Sequence, residues 1–107
     1  MVKKVGEHIT LDIIGTKKEY SPSFYEKLVY KIAKKAKVTV LNISKHKFEP
    51  QGFTLVALLA ESHISFHTFP ERGIISFDFF TCGKVSPLVA LDILKKEIDH
   101  KRIVKKE

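Results

Sequence analysis

A short stretch of the chain brings together a carboxylate, a hydroxyl and two imidazoles, and a thiol follows fifteen residues after the second imidazole. These residues are Glu61, Ser62, His63, His67 and Cys82. The apolar run 53–60 before them predicts a buried strand that ends at Glu61, where side chains can line a cavity. Hydroxyl and thiol groups serve as nucleophiles or proton donors, and imidazole moves protons near neutral pH. The pattern therefore indicates a reactive centre.

Three ordered motifs in this region resemble those of the prokaryotic S-adenosylmethionine decarboxylases, small proenzymes that cut themselves to form a covalently bound pyruvoyl group. The motifs are Glu61-Ser62-His63, His67-Thr68-Phe69-Pro70-Glu71 and Phe80-Thr81-Cys82-Gly83, and they fall within 23 residues. The resemblance extends more weakly upstream, through Gly6, His8 and the segment 46–52, and fades after Pro87. It covers most of the chain.

The resemblance implies self-cleavage between Glu61 and Ser62, which would divide a single domain, 1–107, into a β chain, 1–61, and an α chain, 62–107. The Ser62 hydroxyl can attack the preceding carbonyl through a five-membered ring and form an ester. Loss of the Ser62 α-proton then expels the Glu61 carboxylate, and the remaining dehydroalanine loses ammonia to become the pyruvoyl group. His67 suits the role of base.

The resemblance assigns roles to five further residues. Thr54 aligns with a family serine that donates to the oxygen of the ring intermediate, and Cys82 is the candidate donor of the proton that replaces carbon dioxide. Phe48 and Phe69 would stack on adenine, and Glu71 would bind the ribose hydroxyls. The pyruvoyl ketone would form a Schiff base with the substrate amine and accept electrons as carbon dioxide leaves, so no pyridoxal phosphate is expected.

Three functions remain open at this stage. The leading one is decarboxylation of S-adenosylmethionine in polyamine (spermidine) biosynthesis, and the second is the same pyruvoyl chemistry on arginine or ornithine. The third is a non-enzymatic basic α+β binding domain, because a lone cysteine or a strand histidine is usually structural. The histidines and Cys82 lack a compact ligand spacing along the sequence, so no metal site is expected.

Composition excludes several classes of function. A chain of 107 residues is expected to form one domain. Its net charge is +7, but Lys and Arg concentrate in 31–37 and 95–106, which are predicted helices and a C-terminal tail, so we expect solvated faces and no nucleic-acid binding. No apolar run approaches a membrane span, no secretion signal opens the sequence, and the single cysteine suits a reducing cytoplasm.

Hydrophobic periodicity predicts an α+β two-layer sandwich, with one antiparallel sheet and both helices on a single face. The predicted strands are 8–14, 37–44, 53–60 and 74–81, with an extended segment at 62–67. The first helix should begin at a cap at Ser21 or Ser23 and end near Ala36, and the second should open at Ser86-Pro87.

A sheet covered on one face must hide its other face, so we expect a homodimer with a four-layer α/β/β/α arrangement. If residues 62–67 are extended, Ser62 and His67 lie roughly 16 Å apart on opposite faces of one strand. They cannot meet within one protomer. A twofold dimer could pair Ser62 of one chain with His67 of the other, and the resemblance likewise implies active sites between protomers.

Overall fold

The structure is a computed structural model that describes residues 5–82 and 84–106. Gly83, the last residue of the third motif, lies outside the described residues. The elements are β1 (Glu7–Ile14), α1 (Pro22–Ala36), β2 (Val40–Lys47), β3 (Phe53–Leu59), β4 (Ser62–Phe69), a 3-10 turn (Pro70–Arg72), β5 (Ile74–Thr81), α2 (Val89–Glu97) and β6 (Arg102–Lys106). The strands form one sheet in the order β2-β3-β4-β5-β1-β6, and each neighbouring pair is antiparallel.

Apolar side chains alternate with polar ones along the strands, and this makes one face of the sheet apolar. A row of paired residues crosses it, from Leu55 through Phe66 and Phe77 to Leu11, and each of them is at most 1% exposed. The opposite face carries polar side chains together with the exposed apolar residues Val56 and Leu58. We call it the open face, because both helices cover the other one.

Helix α1 begins where the sequence predicts. The Ser21 hydroxyl accepts a hydrogen bond from the Phe24 N–H at 3.3 Å, and Pro22 occupies the first turn. Leu28 and Ile32 of α1 join Leu94 of α2 in one core with the apolar sheet face. The predicted two-layer α+β fold with both helices on one face is thus confirmed. Neither helix of the described chain is both long and apolar enough to cross a membrane.

The C-terminal region departs from the prediction. The basic residues after α2 do not form a helix end and tail: Arg102–Lys106 is strand β6, which pairs with β1 through Ile13 and Ile103. A single apolar residue on the covered face, Ile103, was too weak a signal among lysines for a strand to be predicted. Helix α2 also starts at Val89, after a turn in which the Ser86 hydroxyl accepts from the Leu88 N–H at 3.2 Å.

Candidate active site

The predicted cleavage point lies in the tight turn between β3 and β4. Leu59 and Ser62 pair across the ladder, which leaves Ala60 and Glu61 as the turn residues. Glu61 has φ of 58°, in the left-handed region that costs a non-glycine residue roughly 1–2 kcal/mol. Backbone strain of this kind concentrates at functional sites. The strained residue is the one whose carbonyl Ser62 would attack.

Ser62 lies on the covered face of the sheet. Its side chain is 6% exposed, and its hydroxyl donates to Thr81 Oγ1 at 3.1 Å. Register explains this contact, because Ser62 of β4 stands opposite Thr81 of β5. Cys82 follows Thr81 directly and is exposed. The structure therefore brings Glu61, Ser62, Thr81 and Cys82 to one end of the sheet, and we call them the Ser62 cluster.

A second group lies further along the same strands. Thr54 and His67 stand opposite each other on the open face, and Thr54 Oγ1 is 3.2 Å from His67 Nδ1. Both predicted aromatic site residues are exposed: Phe48 is 46% exposed and Phe69 is 40% exposed. Glu71 is exposed in the 3-10 turn after β4. We call these five residues the His67 cluster.

The two clusters do not meet within one chain. Ser62 and His67 belong to one extended strand and are five residues apart, which corresponds to roughly 16 Å. Their ladder partners, Leu59 and Thr54, show that they point to opposite faces, as the alternation predicts. One part of the expectation needs correction. Ser62 shares its face with the core residue Ile64, so in the uncut chain its hydroxyl faces the helix layer, not a partner on the open face.

The side chains of the His67 cluster lie on or beside the open face of the sheet. A cavity of about 590 Å³ lies nearby, on the helix side of the sheet, and its walls include Tyr25, Phe53 and Thr68. None of the predicted site residues lines it. The exposed aromatic and acidic side chains of the His67 cluster are therefore accessible to another molecule.

Thr81 is a candidate site residue whose contact with Ser62 sequence reasoning missed. In the sequence it stands out only as part of a motif, yet it is 2% exposed and accepts the hydrogen bond that orients Ser62. The sequence does contain a signal for this contact. Side chains alternate between the faces of a strand, so Thr81 lies on the same apolar face as Phe77 and Phe79 and places a hydroxyl there. A buried hydroxyl needs a hydrogen-bond partner.

Comparison with known proteins shows the family to which the chain belongs. Residues 7–107 match the family described as S-adenosylmethionine decarboxylase. The chain belongs to this family. Two named S-adenosylmethionine decarboxylase proenzymes illustrate the similarity. That of Prochlorococcus marinus (strain MIT 9313) is 42% identical over 100 residues, which are 91% of this chain and 80% of the relative. That of Methanococcus vannielii is 44% identical over 85 residues, 78% of this chain and 70% of the relative.

The fold agrees with this membership. The crystal structure of the adenosylmethionine decarboxylase from Aquifex aeolicus VF5 is similar to this chain with a TM-score of 0.84 and 35% sequence identity. The similarity covers 98% of this chain and 89% of that one. A non-enzymatic basic binding domain is thereby set aside. The site is therefore interpreted as that of an enzyme of the S-adenosylmethionine decarboxylase family.

The local geometry fits the group that such proenzymes generate. A pyruvoyl group derived from a serine requires that residue directly after a carbonyl it can attack, with its hydroxyl held in place. Ser62 meets both conditions, because it follows the strained Glu61 and is hydrogen bonded to Thr81. Cys82 adjoins the same point as a free thiol.

Proposed function

We propose that this chain is a self-processing, pyruvoyl-dependent S-adenosylmethionine decarboxylase of polyamine (spermidine) biosynthesis. One observation carries the proposal: Ser62 is oriented by Thr81 directly after a left-handed Glu61, within a chain that matches the family over residues 7–107. The role of Cys82 needs a reduced thiol, which supports a cytoplasmic location.

Processing would begin at the Ser62 hydroxyl. Its oxygen attacks the Glu61 carbonyl carbon, the peptide C–N bond breaks, and the acyl group moves to oxygen as an ester. A base removes the Ser62 α-proton and the Glu61 carboxylate leaves, so the chain separates into 1–61 and 62–107. The dehydroalanine left at position 62 tautomerises to an imine, and water replaces its nitrogen, which departs as ammonia. Relief of the left-handed strain at Glu61 favours the first step.

The base in this scheme is His67, with Thr54 beside it. Because Ser62 and His67 are roughly 16 Å apart in one strand, His67 of the partner subunit would act in a homodimer with two shared sites. The exposed Val56 and Leu58 give the open face an apolar contact surface for that partner. The buried Ser62 side chain would reach Thr54 and His67 of the interface only after the turn opens, so we place that movement before the ring intermediate forms.

Decarboxylation would use the same composite site. The pyruvoyl group at position 62 would supply an electron-accepting ketone for loss of carbon dioxide from the bound substrate. Cys82, exposed next to Thr81, would return a proton to the substrate carbon. The exposed rings of Phe48 and Phe69 would hold adenine between apolar faces, and Glu71 would accept hydrogen bonds from the ribose hydroxyls.

Two measurements test the proposal. Mass spectrometry of the denatured protein should find two chains, cut between Glu61 and Ser62, whereas the Ser62→Ala variant should remain one chain. Processed protein should release carbon dioxide from S-adenosylmethionine in preference to arginine and ornithine. An intact wild-type chain after prolonged warming would rule out self-processing. Two chains with release from arginine or ornithine alone would keep the cofactor chemistry and replace the substrate.

A further inference from the structure

Three potential metal ligands meet on the open face, outside both clusters. His8 Nε2 lies 3.1 Å from Asp78 Oδ1, and His63 Nε2 lies 3.0 Å from the same oxygen. The three ligand atoms are all within 4.8 Å of one another. Each side chain remains accessible, with 49% exposure for His8, 43% for His63 and 26% for Asp78. Within a single chain, an incoming ion therefore has a path to all three.

Strand register builds this cluster from distant parts of the sequence. His8 of β1 and His63 of β4 both stand opposite Phe80 of β5, one on each side. Asp78 lies two residues before Phe80 and so projects from the same face. No spacing rule along the sequence reveals this arrangement, which is why we expected no metal site from sequence alone.

Neighbouring side chains hold the ligands in place. The Phe80 ring stacks on His63 with centroids 5.9 Å apart and meets the His8 ring edge-on at 6.1 Å. The Ser65 hydroxyl donates to Asp78 Oδ2, which leaves Oδ1 directed at the two imidazoles. Partners of this kind fix the orientation of ligands in metal sites. Ser65 is 5% exposed, so its hydroxyl is well fixed itself.

We propose that His8, His63 and Asp78 bind one divalent transition-metal ion, for which Zn²⁺ is the best fit. Zinc bonds of ~2.0–2.2 Å at tetrahedral angles place ligand atoms roughly 3.3 Å apart. The two nitrogen–oxygen separations are within a few tenths of an ångström of that value. Two imidazoles and one carboxylate suit zinc, whereas Mg²⁺ prefers an octahedral oxygen set. The fourth position stays open to water or another ligand.

The position of this site links it to processing. His8 belongs to 1–61, whereas His63 and Asp78 belong to 62–107. The ion would therefore bridge the two products of cleavage, one residue from the new end at Ser62. This consequence rests on the proposed function, but ion binding by the uncut chain does not.

Metal binding is best measured on the Ser62→Ala chain, which cannot be cut. After dialysis against a chelator, Zn²⁺ titration should give one ion per chain, and Co²⁺ should give the intense visible absorption of a four-coordinate site. His8→Gln and Asp78→Asn should each weaken Zn²⁺ binding at least tenfold. His46→Gln removes an exposed histidine of the same face and should change the affinity less than twofold. Circular dichroism verifies the fold of each variant.

The outcomes are distinct from those of the processing test. A folded Ser62→Ala chain that takes up no Zn²⁺ at micromolar concentrations overturns the site and leaves the proposed function untouched. Equal loss of affinity in His46→Gln, or a weak six-coordinate Co²⁺ spectrum, also overturns it. Stoichiometric binding lost in both His8→Gln and Asp78→Asn supports the site, even if the wild-type chain is never cut.

Discussion

The hydroxyl of Thr54 lies within hydrogen-bonding distance of the His67 ring, with Oγ1 3.2 Å from Nδ1. The same hydroxyl can orient the imidazole and, in the proposed dimer, donate to the oxygen of the ring intermediate. Both roles need the oxygen, and neither needs the methyl group that distinguishes threonine from serine. The pair therefore allows the hydroxyl to be tested separately from side-chain shape.

Thr54→Val should slow self-cleavage by about 10²-fold, the cost of removing one donor to a developing oxyanion. Thr54→Ser keeps the hydroxyl and should cleave at the wild-type rate or faster, because the stiff methyl is gone. Time courses of two-chain formation measure both. Equal slowing in the two variants would mean that shape, and not the hydroxyl, matters at position 54.

Tyr25 is a buried residue whose ionisation should affect stability. It is 2% exposed, and burial raises the pKa of its phenol above 10.0, with smaller contributions from Tyr20 and Glu19. In the unfolded chain the phenol would lose its proton near pH 10, whereas in the folded chain it keeps it. The contribution of the Tyr25 phenol to stability is therefore fully present below pH 10, and it is lost as the pH rises above that value.

Between pH 9 and pH 11, the unfolding free energy of the Ser62→Ala chain should fall by roughly 1 kcal/mol more than that of the same chain with Tyr25→Phe. Urea unfolding at both pH values measures the difference. Tyr30→Phe is the matched control, because Tyr30 lies on the same helix and is 58% exposed. If the Tyr30→Phe chain lost as little unfolding free energy between pH 9 and pH 11 as the Tyr25→Phe chain, the effect could not be assigned to Tyr25.

At the level of elements, the β3–β4 turn combines regular pairing with one strained residue. The ladder closes at Leu59 and Ser62, so the two turn residues must reverse the chain within a short span. Glu61 takes the left-handed conformation and Ala60 does not. A glycine at position 61 would adopt that conformation without a steric penalty.

Glu61→Gly should therefore slow cleavage by roughly fivefold, since about 1 kcal/mol of strain is no longer released. Ala60→Gly changes the same turn at a residue without positive φ and should leave the rate within twofold. Gel-resolved time courses at one temperature provide the comparison. Faster cleavage in Glu61→Gly would show that strain at this bond does not assist the reaction.

The helices and strands also show how much of the fold can be predicted from the sequence. Periodicity located β1, α1, β3 and β5 to within one or two residues, because each buries a full row of apolar side chains. Strand β6 was missed because it contributes only Ile103 to the covered face. The alternation of side chains along a strand also predicted that Ser62 and His67 lie on opposite faces. It could not bring His8, His63 and Asp78 together, because that contact depends on which strands are neighbours.

At the level of the whole molecule, the separation of Ser62 from His67 makes the proposed dimer testable. A Ser62→Ala chain and a His67→Ala chain should each stay uncut when expressed alone. Expressed together with different tags, they should form mixed dimers in which one site has an intact Ser62 and an intact His67. Only the His67→Ala chain should then be cleaved, as mass spectrometry of the tagged chains would show.

The open face provides the control for this experiment. Leu58→Glu in both chains should abolish the rescue, because Leu58 is 54% exposed on that face. Tyr30→Glu introduces the same charge on the helix side and should preserve it. If mixed dimers form and neither chain is cut, the site is complete within one protomer and the shared-site proposal is wrong.

The strand order β2-β3-β4-β5-β1-β6 interleaves the two proposed products. Residues 1–61 supply β1, β2 and β3, and residues 62–107 supply β4, β5 and β6. The pieces would share three ladders, β3 with β4, β5 with β1, and β1 with β6. While the chain is continuous, its own length holds these partners at a high effective concentration as the sheet assembles. Folding would thus have to precede cutting, and an early cut would turn a unimolecular folding reaction into a bimolecular one.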